Sequence, residues 1–265
     1  MSREILINAD DFGWTDGHNQ AVERAYKNGV LRRASLLSNG EAFGEAVELT
    51  RRLPELRVGV HLTLNEGRPL VAAGHLPGLT DQNGAFYDEV SDLARLWLGG
   101  QLKVEEAMAE WRAQIERPLR AGLVLNHLDS HKHVHVFPPL MEAIVRLAQE
   151  YQVSYIRLPL EAWNKDSLRR GPPGLALWLL ARLARARLRA AGLCFADHFV
   201  GISVSGAMAG ERLRQVAAGA RQGVTEIMVH PAVITPAVAA LQRRYSWAAR
   251  YRFSEELEAL CNLQL

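Results

Sequence analysis

The chain has little cysteine. Its 265 residues include only Cys194 and Cys261, which lie far apart. That spacing excludes a disulfide scaffold and a thiolate metal site, and it suits a reducing compartment. No run of about 20 apolar residues is present, so no membrane-spanning helix is expected. Met1-Ser2-Arg3-Glu4 leads straight into an apolar stretch without the pattern of a secretory signal, and a cytoplasmic location is expected. Charge of one sign is also lacking. Lys and Arg total 31, Asp and Glu 29, and the net charge is +2, so nothing calls for a nucleic-acid partner. Neither internal repeats nor a low-complexity linker breaks the chain. Its length suits one large α/β barrel or two small domains, and the missing linker favours one domain over 1–265.

What is present is an alternation of short apolar runs with helical patterns. Strands are predicted at Ile5–Ala9, Ala34–Gly40, Arg57–Leu64, Ser154–Leu158, His198–Ile202 and Thr225–Val229, and another begins at Gly122–Leu125. Helices are predicted over 16–28, 41–52, 103–119, 173–191 and 209–221, with a last one from Ser254. Residues 67–88 form a long loop with glycine and proline, a length uncommon unless functional. About seven strands alternating with helices predict an α/β fold: a parallel sheet closed into a (β/α) barrel with helices outside.

Histidine is concentrated. Four of the nine, His127, His131, His133 and His135, fall in the stretch Asn126–His135, with Asp129 between the first two. In a strand alternate residues share a face, which groups His127, Asp129 and His131 while the strand lasts. Pro138 and Pro139 then suit the first turn of a helix. Asp10, Asp11, His61, Arg157 and His230 lie at the C-terminal ends of other predicted strands, where β/α barrels build their sites. Imidazole and carboxylate are ligands for Zn and similar divalent ions, but four histidines exceed one ion's needs. Some must orient ligands or face a substrate.

These residues carry a family resemblance. Ala9-Asp10-Asp11-Phe12-Gly13, Gly59-Val60-His61 with Glu66-Gly67-Arg68-Pro69, the run His127–His135, and Ile227-Met228-Val229-His230-Pro231 together resemble the YdjC-like carbohydrate deacetylases. That family includes chitooligosaccharide deacetylases and a branch associated with hopanoid biosynthesis. The match keeps motif order over nearly the whole chain. The resemblance implies an irregular (β/α) barrel. It also implies one divalent metal ion on Asp11, His61 and His131, with Zn favoured and Mg the alternative. Asp10 would be the general base, and His230 is similar in place to a general acid of the distantly related polysaccharide deacetylases. Asn126 departs from the Thr usual in chitooligosaccharide members, from which no loss of activity is inferred.

The implied reaction removes acetyl from an N-acetylated amino sugar, of chitooligosaccharide type or carried on a glycolipid. Asp129 is expected to orient His131 or His61, with sugar binding the other option. His127, His133 and His135 either line the substrate cleft or hold the loop. Arg157 binds a sugar hydroxyl or pairs with Asp10 or Asp129. Phe12, Trp14 and Trp163 are aromatics that could stack on a sugar or anchor a loop. The helix Leu175–Arg189 begins apolar and then carries Arg182, Arg185, Arg187 and Arg189, which leaves peripheral membrane contact open beside an ordinary outer helix. Self-association is also left open. Two alternatives remain: a metal-dependent barrel hydrolase or isomerase acting on another small substrate, and a non-catalytic sugar- or metal-binding protein.

Overall fold

The computed structural model describes residues 2–163 and 171–264. Its centre is β1 (Arg3–Phe12), exposed at its start and buried over its last six residues. Burial on both faces is the mark of a strand inside a parallel sheet covered by helices. β1 pairs in parallel with β2 (Arg33–Leu36) on one side and with β6 (Gly223–Val229) on the other. β3 (Arg57–Leu62), β4 (Leu128–Ser130) and β5 (His198–Val200) complete a six-stranded sheet in the order β4-β3-β2-β1-β6-β5. Every pairing in it is parallel.

The helices are α1 (Asp16–Asn28), α2 (Phe43–Arg52), α3 (Val90–Leu98), α4 (Val104–Arg120), α5 (Pro138–Glu150), α6 (Gly171–Ala190), α7 (Gly210–Ala218), α8 (Pro236–Arg244) and α9 (Phe253–Cys261). Pro138 opens α5 where a missing N–H costs nothing. Among the described residues no helix is long and apolar enough to cross a membrane.

Alternation along the strands divides the sheet into two chemistries. Ile7, Ala9, Ala34, Leu36, Val58, Ile227 and Val229 join the side chains of α1, α2, α7 and α9 in one apolar cluster. Val60, Leu62 and Leu128 join Trp111 and Ile115 of α4 and Leu140 and Ile144 of α5 in another. The residues between them, Asn8, Asp10, Ser35, His61, Asp129 and Glu226, are polar yet buried. They contact one another or Arg157 across the concave face of the curled sheet. Gly59 is required there: a Cβ would lie 2.4 Å from the His127 ring.

The expected closed barrel of about seven strands is corrected to a six-stranded sheet curled into part of a barrel. Ser154–Leu158 makes no ladder. It is held by isolated parallel bridges, Leu128 with Ile156 and Tyr155 with Cys194, and Glu161 bridges Phe199 further on. Its neighbour β4 is three residues long, and Pro159, which has no N–H to give, cuts the segment short. Gly122–Leu125 is likewise not a strand. Gly122 turns the chain at φ +83°, Val124 is 89% exposed, and sheet pairing begins when Asn126 N–H donates to the Val58 carbonyl.

Candidate active site

Two adjacent residues of an ordinary strand point to opposite faces. β1 breaks that rule at Asp11, whose φ is +64°, with a register shift against β2 between Ala9 and Phe12. Aspartate tolerates this left-handed conformation better than most residues. The turn brings both Asp10 and Asp11 to the cleft at the C-terminal end of the sheet.

Asp11, His61 and His131 converge. His61 Nε2 lies 3.6 Å and His131 Nδ1 3.4 Å from Asp11 Oδ1. Both nitrogens that point away are held by carboxylates: His61 Nδ1 donates to Asp129 Oδ1 at 2.8 Å, and His131 Nε2 to Glu66 Oε2 at 3.0 Å. This fixes which nitrogen of each ring faces the centre, as carboxylate partners do for metal-bound histidines. Both Asp11 oxygens are buried without a hydrogen-bond partner. A buried carboxylate left this way is costly unless a cation meets it. Two ligand atoms at about 2.0–2.2 Å from one tetrahedral ion stand about 3.4 Å apart, close to the separations seen here. The residues fit a divalent cation.

The electrostatics agree. Burial would raise the Asp11 carboxyl, but His131, His61 and His230 outweigh it and hold it well below the carboxylate range. Burial likewise disfavours charge on His131, but Asp11 and Glu66 outweigh it and push the imidazole up to about 9. Carboxylates that favour a proton at this position favour a metal ion in its place. Glu66 is itself held low: burial is outweighed by His131 and Lys132.

A second grouping, Asp10, His61 and Asp129, also has close oxygen and nitrogen atoms. It is taken by Arg157 instead. Arg157 is fully buried and donates to both oxygens of Asp10 at 2.6 and 2.7 Å, lies 2.7 Å from Asp129 Oδ2, and donates through Nε to Glu226 Oε1 at 2.7 Å. Burial opposes its charge, yet Asp10, Asp129 and Glu226 hold its pKa well above the usual value. Asn8 donates to Asp10 Oδ1 and to Ser35 Oγ, each at 2.8 Å, and Ser35 donates to Asp129 Oδ2 at 2.7 Å. Ser35 has one acceptor position left, which His127 Nε2 fills at 3.0 Å.

His230 follows β6 with Nε2 4.0 Å from Asp10 Oδ2, its ring against Tyr251 and its backbone N–H on Glu256. His133 lines the cleft, and burial holds its ring well below its usual pKa. His127 is also kept neutral by burial. Of the residues given a sugar-facing option, Asp129, His127, His135 and Arg157 are each 0% exposed and do not line the cleft. His135 accepts from Ser130 Oγ and donates to the Arg157 carbonyl, riveting the turn after β4; burial depresses it to about 4. Of the aromatics, Phe12 is core, Trp14 packs on His131, and Trp163 stands on the outer side against Trp178. The cleft holds about 260 Å³, with Trp247 and Tyr251 on one side and Leu177, Ile202 and Met228 on another.

A family model described as YdjC-like protein matches residues 4–265. The chain belongs to the YdjC-like family. One relative of this YdjC-like chain, a carbohydrate deacetylase of Brevibacillus brevis, is 34% identical over 239 residues, 89% of this chain and 84% of that protein. Another, a carbohydrate deacetylase of Thermoanaerobacter pseudethanolicus, is 28% identical over 87% of this chain and 81% of its own. Among solved structures, an Enterococcus faecalis protein assigned to cellobiose-phosphate cleavage superposes with a TM-score of 0.75 at 28% identity, covering 99% of this chain and 92% of that one.

Some YdjC-like site residues escape a linear reading. Glu66, at φ +64°, receives His131 Nε2, Lys132 Nζ and Trp247 Nε1 on one carboxylate. Only its place in Glu66-Gly67-Arg68-Pro69 hinted at a role. Glu226, Glu256 and Trp247 gave no signal, because each acts through a partner distant in sequence.

Proposed function

We propose that the chain is a metal-dependent N-deacetylase that releases acetate from an N-acetylated amino sugar, of chitooligosaccharide type or lipid-linked. The observation that carries this is the pair of orphaned Asp11 oxygens facing His61 Nε2 and His131 Nδ1, with Asp10 beside them. The carbohydrate deacetylase relatives supply the substrate class.

Asp11, His61 and His131 would hold the ion. A divalent ion so bound supplies Lewis acidity, which polarises an acetyl carbonyl and brings the pKa of water toward ~7. The imidazole and carboxylate set favours Zn, with Mg the alternative. Asp10 is fixed by the two Arg157 bonds and by Asn8; Oδ1 accepts from Asn8 and Arg157 and is filled, and Oδ2 accepts only from Arg157 and keeps one lone-pair position free. It takes the proton of the attacking water as the new C–O bond forms. His230 stands near Asp10 and gives a proton to the amine nitrogen as the C–N bond breaks. Acetate and a free amino sugar leave. Asp129 keeps His61 in the required tautomer, and Glu66 does the same for His131. Trp247 and Tyr251 give the sugar an aromatic wall.

The test is acetate release from N-acetylated chitooligosaccharides and N-acetylglucosaminyl lipids by metal-reconstituted protein, with the metal content measured in parallel. Bound metal without acetate from either class would return the chain to a different hydrolase or to a binding role.

A further inference from the structure

Outside the catalytic cleft, a groove of about 840 Å³ runs between α6 and α7 over β5. Its size lies within the range of small-ligand pockets, about 300–1,000 Å³. Trp178, Arg182, Arg185 and Arg189 line it from α6. Steps of three and four residues put them on one helix face. Arg221, just beyond α7, faces the groove from the other side.

Among the described residues no carboxylate pairs with these four guanidinium groups. The two acids in the lining are used elsewhere: Glu161 accepts from Gly201 N, Ser203 N and Ser203 Oγ, and Asp197 Oδ2 from Val224 N. Arg182 lies over the Trp178 ring at 4.8 Å and Arg189 over Phe195 at 6.0 Å, contacts that leave their in-plane donors free. The contrast lies on the same helix. Arg187 points away from the groove and makes a two-pronged pair with Glu142. The helix pairs its arginine where it meets α5 and leaves three unpaired where it meets the groove.

We propose that this groove binds a phosphate-bearing ligand, as a free phosphorylated molecule or as a lipid headgroup. Arginine's planar fork matches phosphate oxygens, and several converging arginines neutralise a dianion better than one. The headgroup source has a physical basis beside the groove: Leu175, Leu179 and Leu183 are 45%, 50% and 64% exposed at four-residue steps on the same helix. The inference does not rest on the deacetylase reading.

Fructose 1,6-bisphosphate is titrated calorimetrically into the full chain, and co-sedimentation is measured with phosphatidylcholine vesicles with and without phosphatidylglycerol. Wild type is compared with Arg185→Ser/Arg189→Ser and with an equally charged control, Arg146→Ser/Arg250→Ser. Binding by wild type and the control, weakened about tenfold or more for each groove arginine removed, is the expected result. Acetate release stays unchanged. Loss confined to the sugar bisphosphate assigns a free ligand, and loss confined to phosphatidylglycerol vesicles assigns a headgroup. Asp11→Asn must keep the binding, since a probe held at the metal centre would be lost with it. Should Arg185→Ser/Arg189→Ser not fold, Arg182→Ser/Arg221→Ser serves in its place. Equal binding by wild type and a folded groove variant, or none by wild type to either probe, overturns the proposal.

Discussion

The concave and convex faces of one sheet are built from alternate residues of the same strands, and they are held together differently. On the convex face Val58, Ile227 and Val229 meet helices through apolar contact alone. Such contacts are numerous, individually small and replaceable by residues of similar volume. On the concave face Asn8, Asp10, Ser35, His61, Asp129, Arg157 and Glu226 form a chain of directed bonds. A charged network of this kind adds little net stability, yet removing one member is expensive because its partners stay buried. One face makes the fold, and the other holds Asp10, His61 and Asp129 in fixed positions at the cleft end of the sheet.

This difference can be tested by substitutions of decreasing effect. Asp10→Asn should cut acetate release by about 10²–10⁴-fold, the usual worth of a general base. It should leave metal content, read by elemental analysis, unchanged. Near wild-type turnover would remove Asp10 from that role. Arg157→Met removes the guanidinium that joins Asp10, Asp129 and Glu226 and leaves these three facing one another. A loss of about 3–5 kcal/mol in urea unfolding is expected. A loss under 1 kcal/mol would mean that water satisfies the three carboxylates. Glu66→Gln, which touches His131 without joining the proposed ligands, should weaken metal affinity by about 10–100-fold in a competition titration. On the convex face Ile144→Val, in a fully buried apolar setting, should cost about 0.5–1.5 kcal/mol and leave acetate release alone. A fall in activity there would show that the two faces are coupled.

The convex face was the more legible one. Apolar periodicity located five of the six strands and most helices, because burial against a helix follows directly from side-chain type. It missed where strands end. β1 resumes at Phe12 after a register shift at the left-handed Asp11, which no pattern of polarity announces. It also counted a strand at Ser154–Leu158, whose apolar run is real but whose neighbour β4 is too short to ladder with it. On the concave side the aspartates and histidines stood out by type and clustering. Their assignments did not. The sequence left Arg157 either on a sugar hydroxyl or paired with Asp10 or Asp129, and His135 either in the cleft or holding the loop, and both are among the most enclosed residues in the fold. Glu66 was visible as a motif letter, and its bond to His131 spans 65 positions, which only the closed chain reveals.

Arg157 has a consequence for the order in which the molecule assembles. Its bonds reach back 147 positions to Asp10 and forward 69 positions to Glu226. Loops of that length are slow to close, and their entropy must be spent before the contacts repay it. During synthesis Asp10 and Asp129 are made before Arg157, and Glu226 well after it. Until β6 docks beside β1, the half-built centre lacks one of the three carboxylates around its arginine, and β1 has an open edge on that side. Docking of β6 therefore covers that edge and completes the anchor of Asp10 in one event, so a chain stalled before it would have neither a finished sheet nor the full set of carboxylates around Arg157.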